Sequence, residues 1–244
     1  MVLTTAVSAA VAAAACGGDP NDRALRVFAA ASLTEAFDEL AIAFEAAEPD
    51  HRVQLVVAGS ATLRDQVLAG APADVVAFAN EAVMADLVAA EVVEAPVDFA
   101  TNRLTLAVPA DNPGAVAGLD DLGRPELFVG LCATGVPCGD LAQDVLAAAD
   151  IEAAVDTFEP SVRAVLTKLA ERELDAGLVY STDVAAEPSV RAVELPDGTD
   201  AVTRYPIAAV LRDADQQPAA RRFIDFVTGP EGQATLAGFG FGRP

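Results

Sequence analysis

Two serines stand where an apolar run gives way to a helical pattern, with no bulky neighbour beside them: Ser32 in FAAASLTEAF and Ser60 in AGSATL. A hydroxyl there has two uses, because it both accepts and donates. It can accept a free backbone N–H of the first helical turn, and Ser32-x-x-Glu35 has the spacing of a capping box. It can also give its own proton to an anion. Two further helix starts offer N–H groups, Pro137-Cys138-Gly139-Asp140 and Glu159-Pro160-Ser161-Val162. In the second, proline is expected at the first helical position, leaving the Val162 N–H unpaired in the first turn. One such turn is an ordinary cap. Four of them, two before Pro109 and two after it, are expected to oppose their N–H clusters and hold one anion, because free N–H groups and the helix dipole both favour negative charge.

Other chemistries fit these residues less well. A serine nucleophile needs a base, yet the single histidine, His51, lies in EPDHRV at the expected start of a strand, and no Gly-x-Ser-x-Gly elbow occurs. The glycines of GFGFGRP are followed by no helix, so they form no dinucleotide loop. Cys132 and Cys138, in LCATGVPCGD, lack zinc-site spacing. Outside the cytoplasm so close a pair is expected to form a disulfide, and inside it to stay as free thiols. Arg64 and Arg163 follow two of the turns and are expected to face away from an anion or to brace the structure. The one lysine, Lys168, carries no functional message.

The elements that position the turns follow from periodicity. LRVFAAA reads as a strand, and Leu33, Phe37, Leu40 and Phe44 mark one face of the next helix, with Ile42 widening it. VQLVVAG, DVVAFA, RLTLAVP, LFVGLC, AGLVYS and VTRYPIAAVL read as further strands. Helices are expected around Leu63, Val67 and Leu68, from Met84 to Ala90, from Gly139 to Ala149, from Pro160 to Arg172 and near the C-terminus, with a short one near Leu119 to Leu122. The β-α-β-α rhythm predicts an α/β fold with a largely parallel sheet flanked by helices. With 244 residues, 53% of them hydrophobic, the chain can bury a sizeable core. Its 37 acidic against 15 basic residues disfavour a nucleic-acid partner, which needs clustered Lys and Arg. The uncharged run MVLTTAVSAAVAAAA, residues 1–15, is too short to span a membrane and reads as an export signal. Ala13-Ala14-Ala15-Cys16 resembles a bacterial lipoprotein cleavage site, which would make Cys16 the lipidated residue and 16–24 a tether to the membrane, an ordinary cleaved signal being the alternative.

Taken in order, FAAASLTEAF, AGSATLRDQVLAGAPADVVAFA, VPCGDLAQDVL, PSVRAVLTKLAERELDAGLVYSTD, RYPIAAVL and the closing GFGF resemble the periplasmic molybdate-binding proteins of ABC-type molybdate importers, over residues 25 to 242. The resemblance implies a two-lobed periplasmic-binding-protein (Venus-flytrap) fold, each lobe a mostly parallel sheet with helices and the ligand in the cleft. Residues 25–106 plus 208–244 would form the first lobe and 107–207 the second. It also implies the ligand set: Ser32 and Ser60 through hydroxyl and N–H, Cys138 (where the family has alanine) and Val162 through their N–H, and Tyr180 through its phenol. The expected function is molybdate and tungstate binding outside the cytoplasmic membrane and delivery to an ATP-driven permease, by a monomer without cofactor or catalysis. A sulfate- or phosphate-binding protein or sensor is the alternative on the same fold, and an exported serine hydrolase a remote one.

Overall fold

The structure, a computed structural model, describes residues 24–196, 198–199, 201–212 and 217–244. The expected export signal and Cys16 lie outside the described residues. Among the described residues no helix is long and apolar enough to cross a membrane.

Strand β1 (Leu25–Ala30) is almost wholly buried, as an apolar run in the interior of a sheet must be. Parallel strands β2 (Val53–Ala58) and β3 (Val75–Ala77) pair with its two edges. Helix α1 (Thr34–Ala47) packs Phe37, Leu40 and Phe44 into the core. Phe37 and Phe44 meet Phe223 of α7 (Gln217–Thr228) edge to face, with centroids 6.2 and 5.2 Å apart. Ile42 does not widen that face: it is 71% exposed, because at about 100° per residue it falls about 180° from the Leu33–Phe37–Phe44 stripe. Leu68, at the end of α2 (Ser60–Leu68), is likewise exposed.

After α3 (Glu81–Ala89) comes β4 (Val97–Pro109), the longest strand. Its first half, Val97 to Arg103, pairs antiparallel with β9 (Val202–Ala209); its second half, Leu104 to Pro109, pairs antiparallel with β7 (Ala176–Tyr180) and β8 (Val190–Val193). Beyond β7 lie β5 (Val129–Cys132) and β6 (Val155–Glu159), parallel to each other and to β7. The path runs β2-β1-β3-β9-β4-β7-β5-β6, with β8 added on β4. Each end therefore carries three parallel strands, as the rhythm predicts, whereas the middle is antiparallel. The reason is topological: a chain that leaves one half by β4 and returns by β9 runs in opposite directions along the two. Helices α4 (Pro137–Ala148) and α5 (Val162–Ala170) flank the second group of strands, and α8 (Pro230–Gly238) closes the first.

Three elements escape the sequence reading. The edge strand β6, VDTFE, is half exposed and too polar to show as a strand. The motif AGLVYS is cut after Tyr180, where α6 (Ser181–Ala186) begins, and β8 is only four residues long.

Candidate functional site

The four turns meet. Ser32, Ser60, Cys138, Val162 and Tyr180 line one cleft of about 210 Å³, open solvent at its mouth included. The other walls are small or apolar, among them Ala30, Ala31 and Ala79, and among the described residues no charged side chain lines it.

From the first group of strands, β1 runs into a 3-10 turn over Ala31–Leu33 that buries Ser32. The expected capping box does not form. The tight turn delays α1 to Thr34, whose Oγ1 donates to the Ala31 carbonyl at 2.7 Å, and the Ser32 hydroxyl instead pairs with the Tyr205 hydroxyl at 2.8 Å. Ser60 is the first residue of α2, and its Oγ accepts the Ala79 N–H at 3.1 Å, which leaves its own proton free.

From the second group, Pro137 opens α4 and Cys138 follows it. Cys138 is bonded to Cys132, with Cα atoms 5.7 Å apart, so the pair is a disulfide and not two thiols. Gly139 is required by close approach: a Cβ there would sit 2.1 Å from the Ala133 carbonyl oxygen. Ser161, not Pro160, sits at the start of α5; it caps the helix by accepting the Ala164 N–H at 3.2 Å, and Pro160 precedes the cap. Val162 is thus the first helical residue, in the turn whose N–H groups have no partner within the helix.

Tyr180 ends β7 and is buried, and its hydroxyl has no hydrogen-bond partner among the described residues. The Tyr205 hydroxyl lies close enough to perturb it without the geometry of a bond; burial, then Tyr205 and Asp183, hold its pKa well above the ordinary tyrosine value, so it stays a donor. Buried donors without partners are rare and costly, so one lining a cleft points to an acceptor from outside.

Charge is held one layer back. Arg163 pairs with Glu35 of α1 and stands 3.6 Å from Asp183 Oδ1, too far for a hydrogen bond. Asp183 accepts the Tyr180 N–H at 3.2 Å. Burial raises its pKa to about 7 against the lowering influence of Arg163 and of that N–H, with Glu35 adding to the rise. Arg64 pairs with Asp65 and Asp86 at the surface. Neither arginine lines the cleft; Arg163 braces the two halves, α1 to α5. His51 contacts Arg222 at 2.8 Å and stacks on Phe44, whereas Ser32 and Ser60 are hydrogen-bonded to Tyr205 and Ala79.

The sequence reading missed Tyr205, Asn102 and Asp183. Asn102 left no clear trace, standing between the polar Thr101 and Arg103 just ahead of the run RLTLAVP, and only the structure shows it buried. Tyr205 left none, since its partner Ser32 is 173 positions away.

A two-lobed α/β fold with an uncharged, donor-lined cleft between its halves defines a solute-binding protein, and the chain belongs to the bacterial extracellular solute-binding protein family, which it matches over residues 25–242. It is 36% identical over 235 residues to the molybdate-binding protein ModA of Mycobacterium tuberculosis, covering 96% of this chain and 90% of that one. In fold it is similar to the periplasmic molybdate-binding protein of Azotobacter vinelandii (TM-score 0.74, 19% identity, 90% of this chain and 99% of that one). It is also similar to the sulfate-binding protein SubI of M. tuberculosis (TM-score 0.77, 23% identity, 89% and 86%).

Proposed function

We propose that this chain binds molybdate, and tungstate at comparable strength, outside the cytoplasmic membrane and passes it to the permease of an ABC importer. The observation that carries the reading is the unpartnered, buried Tyr180 hydroxyl in a cleft whose other polar groups are serine hydroxyls and helix-start N–H groups. Molybdate is fully deprotonated near neutrality and can only accept hydrogen bonds, so it suits such a cleft, whereas a protonated competitor would find too few acceptors. Hydrogen bonds to a charged group contribute about 1.5–3 kcal/mol each, so a handful from Ser32, Ser60, Cys138, Val162 and Tyr180 offsets the costs of association and closure. The 36% identity to a molybdate-binding protein favours molybdate over sulfate.

In this reading residues 25–106 plus 208–244 form one lobe and 107–207 the other, β4 and β9 join them, and the anion stabilises the closed form that the permease recognises. The protein acts as a monomer without catalysis, and an exported chain carries a lipid on Cys16. Calorimetric titration of residues 24–244 with molybdate, tungstate, sulfate and phosphate tests the binding. Sub-micromolar molybdate and tungstate with much weaker sulfate is the expected result; no heat with molybdate, or a preference for sulfate, overturns it. Mass spectrometry of the exported protein tests the anchor, which an unmodified Cys16 refutes.

A further inference from the structure

Behind the cleft a buried polar chain runs inward from Ser32, made of side-chain hydrogen bonds outside the helix and strand ladders. Ser32 Oγ and Tyr205 Oη are 2.8 Å apart, and on distance alone either could be the donor. Asn102 of β4 decides. Its Nδ2 reaches Tyr205 Oη at 3.3 Å and Thr182 Oγ1 at 2.8 Å, while its Oδ1 accepts the Arg103 N–H at 2.9 Å and the Ser181 hydroxyl at 3.3 Å. The Arg103 N–H fixes which way the amide faces, because a flipped amide would set its NH₂ against that N–H. Tyr205 therefore accepts from Asn102, and its single proton needs an acceptor, which Ser32 Oγ provides. Burial holds the Tyr205 pKa far above its ordinary value, so the proton stays. One lone pair of the Ser32 oxygen is then taken from behind, and its own proton, which cannot point back at Tyr205, is left to the cleft that Ser32 lines. Ser60 stands in the same state, one lone pair taken by the Ala79 N–H and its own proton free.

We propose that Tyr205, oriented by Asn102, is a specificity-determining positioning residue that locks the Ser32 hydroxyl as a donor, so that the site prefers oxyanions bearing no proton to those that present an O–H. Without the Tyr205 proton the Ser32 hydroxyl can rotate and accept, which a protonated phosphate could use and molybdate could not. The inference rests on the oxyanion-binding reading above.

The test is calorimetry at pH 6 with molybdate and with inorganic phosphate, which is largely monoprotic or diprotic there, on the wild type, Tyr205→Phe, Ser32→Ala and the double variant, with thermal unfolding to confirm that each folds. Tyr205→Phe is expected to weaken molybdate about tenfold and phosphate far less, so that the ratio of affinities falls about tenfold. In the Ser32→Ala background the same change is expected to cost nothing more, a coupling that a merely structural role would not produce. Asn102→Leu, which removes the donor that orients Tyr205, should lower the ratio part of the way and keeps the proposal testable if Tyr205→Phe fails to fold. An unchanged molybdate-to-phosphate ratio in a folded Tyr205→Phe or Asn102→Leu protein, or an equal loss with and without Ser32, overturns the relay while leaving the binding reading intact. A wild type that binds no oxyanion overturns both.

Discussion

In the proposed complex the two walls of the cleft offer hydrogen-bond donors of different kinds. On the first, Ser32 and Ser60 present side-chain hydroxyls, each held from behind by another group, Tyr205 or the Ala79 N–H. On the second, the starts of α4 and α5 present main chain, stiffened by Pro137, the Cys132–Cys138 disulfide and the Ser161 cap. A side-chain donor is lost with one substitution, whereas a backbone donor survives nearly any residue that keeps the turn. Tyr180 is the second wall's exception, a side-chain donor among backbone ones.

The largest expected effect comes from where the walls touch. Gly59, which precedes Ser60, lies so near the facing turn that a Cβ would sit 2.3 Å from the Pro160 carbonyl oxygen. Its φ of −59° is one that any residue adopts, so the obstruction acts on the approach of the halves and not on the local fold. Gly59→Val should leave the unfolding temperature of the unliganded protein nearly unchanged and weaken molybdate by about 100-fold, or about 2.8 kcal/mol. An unaltered affinity by calorimetry would mean that the halves need not meet at Gly59. Next comes Tyr180→Phe, which in the proposed complex removes one charge-assisted hydrogen bond and should weaken molybdate by roughly 30-fold, about 2 kcal/mol. Because the hydroxyl has no protein partner, the variant should be as stable as the wild type without ligand, or more so; a lower unfolding temperature would show that Tyr180 serves the fold.

The same contrast governs what the sequence discloses. The turns were legible because they carry local signals: alanines and serine after an apolar run, proline ahead of a helix, an apolar stripe such as Leu33–Phe37–Phe44. The outer parallel strands, the polar edge strand β6 apart, were legible by their rhythm. What holds the side-chain donors was not, because it is long-range: Tyr205 reaches Ser32 across 173 positions, and Arg163 reaches Glu35 across 128. The Ser32-x-x-Glu35 spacing even suggested a local partner, and the tertiary partners of both residues won over it. The antiparallel middle was hidden for a related reason, since strand direction follows from how the chain returns and leaves no mark within VTRYPIAAVL.

A smaller effect tests the backbone wall. Replacing both Cys132 and Cys138 by alanine removes a bond closing a short loop, with a separation of six residues, which should lower stability by about 2 kcal/mol in thermal or denaturant unfolding. Molybdate affinity should fall only about threefold, near 0.7 kcal/mol, because the N–H of residue 138 remains and Pro137 and Gly139 still shape the turn. A loss as large as that of Tyr180→Phe would show that the disulfide, and not the helix start, holds the donor in place.

The smallest effect on affinity is expected one layer back, where two carboxylates of the second lobe differ in how well they are paired. Burial pushes Glu159 up, but hydrogen bonds from Lys168 at 2.6 Å and Thr157 at 2.6 Å outweigh it and hold its pKa below the ordinary value. Asp183 has the Tyr180 N–H from its own turn, Arg163 of α5 at 3.6 Å and, beyond that, Glu35 of α1 with the opposite influence; its pKa rises to about 7. The two should therefore act with opposite sign and in different pH ranges. The folded state holds the Asp183 proton more tightly than the unfolded chain does, so stability falls as pH rises from about 4 to 7, with a slope of at most about 1.4 kcal/mol per pH unit. The Glu159 contribution is present above its unfolded pKa and is lost as pH falls through the folded one. Asp183→Asn should flatten the stability profile between pH 4 and 7 in denaturant titrations, and Glu159→Gln should flatten it only below. Asp183→Asn retaining the wild-type slope would mean that Arg163, despite its distance, keeps the carboxylate charged throughout.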